Sequence, residues 1–209
     1  MPELIDISVR LREDIPTWPG SDGYRIRQAL AIARGDEANV STIEMDVHCG
    51  THVEAPRHFL DDGATLDSVP LDVFIGPAFV LHLPDADSIG PIELASVPAG
   101  TDRLLIRTRN SALWHGEGAF RTDYVGLTAA GAGSIVEQRI RLVGVDYLSV
   151  QRWGDDPETH RILMRGGVTI LEGIDLSAAA AGHYRLICVP LHLAGSEASP
   201  VRAVLEVAS

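Results

Sequence analysis

Apolar residues in this chain come in short runs with polar residues alternating between them, and a period of two is the signature of strands half-buried in a sheet. LIDISVRL (4–11), STIEMDVHCGTHVE (41–54), AFVLHLP (78–84), RLLIRTR (103–109), IRLVGVDY (140–147), VTILEG (168–173) and YRLICVPLHL (184–193) are β-rich in this way. Two stretches, 123–138 and 157–165, carry helical spacing instead. Strands with several helices between them predict an α/β fold on a sizeable sheet or a barrel-like pair of sheets. The 209 residues suit a single domain, 1–209, because a chain of this length can bury most of its unfolded surface around one core. No internal repeat or low-complexity tract interrupts it.

Charge narrows the function. Lys and Arg number 17 against 29 Asp and Glu, a net −12, which opposes the attraction on which most nucleic-acid binding depends. No stretch approaches the ~18 uninterrupted apolar residues of a membrane span, and the opening residues hold no apolar run of signal-peptide length. The expectation is a soluble, cytoplasmic protein whose partner is a small molecule, with neither nucleic acid nor membrane. Cys49 and Cys188 are too few for a disulfide framework, and Cys188, inside an apolar run, reads as a small buried hydrophobe.

The chemistry is concentrated in HCGTHVEAPRHF, residues 48–59, where three of eight histidines fall within eleven residues beside a carboxylate. His48, His52, Glu54 and His58 all occupy even positions, so an extended chain turns them to one side and Val47, Val53, Ala55 and Phe59 to the other. A helix would also align His48 with His52, but Gly50 and Pro56 argue against it. Imidazole and carboxylate are good ligands for Zn²⁺, Mn²⁺ or Fe²⁺, and Glu54 can bridge two ions as an imidazole cannot. Two blander readings compete: scattered polar residues of a strand and its turn, which shared parity disfavours, and an open His-rich loop with adventitious metal affinity. Further along, ETHRILMRGG (158–167) reads as a short helix stopped by glycines and VTILEG as a strand ending at Glu172. Spacing alone leaves His160 an exposed helix residue and Glu172 an ordinary strand end.

HCGTHVEAPRHF resembles the HxGTHxDxPxHF signature of the metal-dependent cyclase family, which includes bacterial kynurenine formamidase and isatin hydrolase. The opening LIDISVRLREDIPTWPG, the middle DYLSVQRWG with His160 and LEGIDL, and the closing PLHLAGSEASPVRAVL resemble that family's other segments in the same order. The resemblance implies a swivelling β/β/α barrel-like fold and a homodimer or homotetramer. It implies one metal on His48, His52 and Glu54, a second on Glu54, His160 and Glu172, and His58 as catalytic acid/base. The ions would be Zn²⁺ or Mn²⁺, one or two per chain. Where the family pattern has Asp this chain has Glu54, a longer arm that bears on whether one ion or two are held.

The activity so implied is hydrolysis of a small amide, lactam or ester by metal-activated water, most like an arylformamidase. A polyketide-type cyclase or a lactone or lactam hydrolase of the same fold is the first alternative, and a non-catalytic metal-binding protein the second. No G-x-S-x-G elbow is present, which disfavours a serine hydrolase. Trp18 with Pro19, and Phe59 beside the ligand run, are candidates for an aromatic wall against a planar substrate. Trp18 reads equally as packing for an N-terminal arm.

Overall fold

A computed structural model describes residues 3–116 and 119–207. Among these residues are eleven strands: β1 (Leu4–Asp6), β2 (Tyr24–Leu30), β3 (Val40–Met45), β4 (His52–Glu54), β5 (Ile75–His82), β6 (Arg103–Arg107), β7 (Leu142–Val145), β8 (Thr169–Glu172), β9 (Gly182–Ile187), β10 (Ala198–Pro200) and β11 (Val204–Val207). Two α-helices accompany them among the described residues, α1 (Ala129–Glu137) and α2 (Glu158–Arg165). Nine strands form one mixed sheet in the order β1-β11-β9-β5-β6-β7-β8-β4-β10. β10 and β11 are separated by three residues yet lie at, or one strand from, opposite ends of that order. So short a connection forces the sheet to curl until its edges approach, and the Ser8–Ile174 bridge and the Val201 N–H on Thr51 O knit the gap. This is the α/β, barrel-like architecture expected, with the helices outside.

Alternation sorts each strand's side chains between two cores. Val53, Val80, Leu105, Leu142, Leu171, Leu186 and Leu205 point into the curl, all buried, and pack with Ile7 and Ile174. Leu81, Leu104, Ile106, Val143, Val145 and Ile170 point outward and are covered by Ala132 and Ile135 of α1 and Leu163 and Met164 of α2. The register then decides where the chemistry lies. Glu54 is opposite Ile170 and His52 opposite Glu172, so His52, Glu54 and Glu172 share the outer face on which α2 packs.

The structure corrects several boundaries. The strand expected over 4–11 stops at Asp6. The helix expected over 123–138 starts at Ala129, where the Thr128 hydroxyl caps it by accepting from Gly131 N–H at 3.0 Å, and Leu127 bridges instead to Ile89 and Gln151. The extended run 41–54 is broken after Met45 by a turn through Gly50 at φ +73°, and only His52–Glu54 resume as a strand. β2 and β3 pair with each other apart from the main sheet, and their hairpin leaves Ile26, Leu30, Val40 and Ile43 exposed.

Asp146, fully buried just beyond β7, holds the turn that follows β6. Its carboxylate accepts from the N–H and hydroxyl of both Thr108 and Ser111 at 2.7–3.0 Å, while burial pushes its pKa up against those four bonds. Asp146→Ala strands two buried backbone N–H groups, each costing about 1–3 kcal/mol. Denaturant unfolding is expected to show a loss of about 3 kcal/mol or more with an unchanged m-value.

Candidate metal centre

The site forms where the 46–51 turn, β4, the 3₁₀ turn Pro56–His58, the end of β8 and α2 meet. Gly50 and Gly173 set its floor. Both have positive φ, and a Cβ at Gly173 would collide with Gly50 O, so the β3–β4 turn and the end of β8 approach as only glycine permits. Thr51 ties the same corner together, accepting from Val9 N–H at 2.9 Å and donating to Gly173 O at 2.5 Å.

Glu54 is the hub. Its Oε1 lies 3.0 Å from His48 Nδ1, 3.4 Å from His52 Nε2 and 3.5 Å from His58 Nε2. Its Oε2, fully buried, has no hydrogen-bond partner among the described residues. Glu172 lies beside it, with Oε2 3.6 Å from His52 Nε2 and Oε1 3.5 Å from His160 Nε2, and accepts the Val150 N–H at 2.5 Å. The ligand-type atoms nearest one another group as His48, Glu54 and His58, and as His52, Glu54 and Glu172, with Glu54 common to both. The resemblance-derived grouping joins the same carboxylates to His48, His52 and His160, and all six side chains line one cavity of about 540 Å³.

Charge in this cluster is strongly biased. Burial alone would favour neutral groups. At His48 it is outweighed by the Glu54 hydrogen bond and by Glu54, Glu172 and Asp46, which lift the ring to about 9. At His58 burial wins over Glu54 and, with the neighbouring imidazoles, lowers the ring to about 4. Glu54 is held well below the usual carboxylate range, its burial overcome by His48 and His52, whereas burial and the Glu54 charge push Glu172 up. Two adjacent carboxylates ringed by imidazoles, with Glu54 Oε2 left without a donor among the described residues, are a donor set suited to a divalent cation.

Trp18, Pro19 and Phe59 line the same cavity. Phe59 stacks on His160 at 4.2 Å between centroids, so the residue that strict alternation turns away from the histidines faces them, because the turn at Pro56–His58 ends the period of two. Trp18, 42% exposed, meets Trp153 at 5.1 Å and Phe120 at 5.5 Å at the rim. His160 is 5% exposed, not the exposed helix residue that spacing alone suggests, while Glu172 ends β8 as expected and is buried there, 3% exposed. Sequence reasoning missed Asp46, whose Oδ1 accepts from His48 N–H at 2.9 Å, Glu197, whose Oε1 is 3.6 Å from His48 Nε2, and Gln151, 3.1 Å from His160.

Comparison with known proteins agrees with this picture. The family model described as "Putative cyclase" matches residues 5–152. The chain belongs to the cyclase family. Among its cyclase relatives, a kynurenine formamidase of Bacillus cereus is 38% identical over 97% of each chain. Cyclase-like protein 3 of Arabidopsis thaliana is 36% identical over 97% of this chain and 79% of its own. A solved structure described as a predicted metal-dependent hydrolase from Bacillus stearothermophilus superposes with a TM-score of 0.85 at 29% identity, covering 98% of both chains.

Proposed function

We propose that this cyclase-family protein is a metal-dependent hydrolase of small amides, most like an arylformamidase, cleaving a non-peptide C–N bond. The observation that carries the reading is the three imidazoles converging on Glu54, whose second oxygen is buried without a partner, at the base of a cavity with an aromatic rim. The 38% identity to a kynurenine formamidase supports the reaction class.

In this reading His48, His52 and Glu54 hold one ion and Glu54, His160 and Glu172 a second, Zn²⁺ or Mn²⁺, with one or two ions per chain. The orphaned Oε2 of Glu54 and the mixed nitrogen and oxygen donors fit such ions. A divalent ion bound there lowers the pKa of a bound water and polarises a carbonyl. His58, partly exposed to the cavity, takes the proton released as water attacks the amide carbon and returns it to the departing nitrogen. Trp18 and Phe59, which line the cavity, hold the flat face of the substrate. The chain acts as one domain, 1–209. Metal-loaded protein assayed on N-formyl aromatic amines, lactams and lactones tests the proposal: fastest turnover is expected on the formyl amines, and turnover confined to lactones overturns the amide assignment.

A homo-oligomer working in the cytoplasm completes the proposal. Cys49 and Cys188 are both buried and unpaired, as suits a reducing compartment, and no described helix is long and apolar enough to cross a membrane. On the β2–β3 hairpin Ile26 stands opposite Ile43 and Leu30 opposite Val40, each 42–60% exposed, an apolar ribbon suited to a second copy. The paired change Ile26→Glu, Ile43→Glu is expected to shift the protein to monomer in analytical ultracentrifugation. An unchanged mass would contradict the hairpin's role.

A further inference from the structure

Gln151 lies within the DYLSVQRWG segment, where the sequence assigns it no role, yet it is fixed at both backbone and side chain. Its backbone N–H donates to Ser149 Oγ at 3.2 Å and its carbonyl accepts from Tyr124 Oη at 2.7 Å, so the chain at this point cannot rotate freely. Its side-chain Nε2 donates to Asp155 O at 2.8 Å, and its Oε1 faces His160 Nδ1 at 3.1 Å. A carbonyl oxygen only accepts, so the bond to Asp155 O determines which end of the amide is nitrogen. Flipping the amide would set two carbonyl oxygens against each other at 2.8 Å. Oε1 therefore faces the ring and His160 Nδ1 must carry the hydrogen. Nε2 of His160, 3.5 Å from Glu172 Oε1, is the ring nitrogen left to face the carboxylates. His52 is set the same way by Gly50 O at 3.0 Å from its Nδ1.

We infer that Gln151 is a positioning residue, which holds His160 as the Nδ1–H tautomer so that the Nε2 lone pair faces Glu172 and the candidate metal centre. The inference rests on the reading of His160 as a ligand only for its effect on metal affinity. The tautomer itself is a property of the protein alone. Gln151→Leu removes both ends of the link at similar size, and Gln151→Glu keeps an acceptor toward Nδ1.

The test is the side-chain ¹⁵N spectrum of histidine-labelled, metal-free protein at a pH high enough to keep the imidazoles neutral, with the His160 signals assigned by their loss in His160→Asn. Wild type and Gln151→Glu are expected to show His160 as Nδ1–H, and Gln151→Leu a mixture of tautomers. Titration with Zn²⁺ alone should then show the ion at His160 bound about 10–100-fold more weakly in Gln151→Leu, the usual cost of losing a ligand's hydrogen-bonding partner. The other ion's affinity should be unchanged and the Glu variant largely rescued. A merely structural role would weaken both ions and leave the tautomer alone. If wild type takes up no Zn²⁺, the ligand reading fails while the spectrum still decides the tautomer. Unaltered Nδ1–H in Gln151→Leu overturns the inference.

Discussion

Glu54→Gln is expected to weaken metal binding by more than the roughly 10–100-fold that follows loss of an outer hydrogen-bonding partner, and to abolish measurable hydrolysis with it. The amide offers a single neutral oxygen where the carboxylate offers two charged ones, and its NH₂ would face three imidazoles that now converge on Oε1 within 3.5 Å. If Glu54 serves both ions, both are lost. If it serves one, a single ion survives on the remaining ligands, so stoichiometry distinguishes the two. Glu54→Asp restores the carboxylate usual in the family signature but shortens the arm in a site shaped for Glu. Its activity should fall because catalytic geometry tolerates only about 0.5 Å of misplacement. Retention of two ions and full turnover by the Gln variant would remove Glu54 from the site.

His58→Ala should give the second large effect, a fall of roughly 10²–10⁴-fold in kcat, the usual contribution of a positioned proton-transfer group. Metal content should be unchanged. His58 comes from a 3₁₀ turn rather than from β4, and its ring packs beside His48 at 4.1 Å between centroids, so its removal leaves His52 and Glu54 on the strand in place. His58 Nε2 is nonetheless within ligand reach of Glu54 and His48 atoms. Loss of an ion in His58→Ala would therefore reassign it as a ligand, and metal analysis beside single-turnover kinetics separates the outcomes.

What could be read from the residues follows from how local each cause is. His52 and Glu54 share a face because two strand residues apart always do, and β4 delivers that geometry. His48 and His58 reach the same point by turns on either side of the strand, so the residues that shared parity groups do meet, but through only partly the expected geometry. Phe59 shows the limit of the argument: one turn at Pro56–His58 sufficed to rotate it into the cavity that alternation turns it from. The burial of His160 and Glu172 depends on α2 packing over β8, a contact that no local spacing announces. Asp46, Gln151 and Glu197 are polar residues in turns or at a strand's approach, with nothing local to mark them. Their partners lie far off in the sequence or become visible only once the turns are formed. The fold class was legible because seven strand-like runs recur, while β2, β10 and β11 were not, being short, exposed or proline-bearing.

The central claim is that a divalent ion on the Glu54 cluster is required for amide hydrolysis. The most direct test is turnover of an N-formyl aromatic amine by the same preparation before chelation, after it and after return of Zn²⁺ or Mn²⁺, with metal per chain measured at each stage. The account predicts bound metal at the outset, turnover that disappears with it, and recovery in proportion to the ion restored. Full activity in protein shown to be metal-free would contradict it.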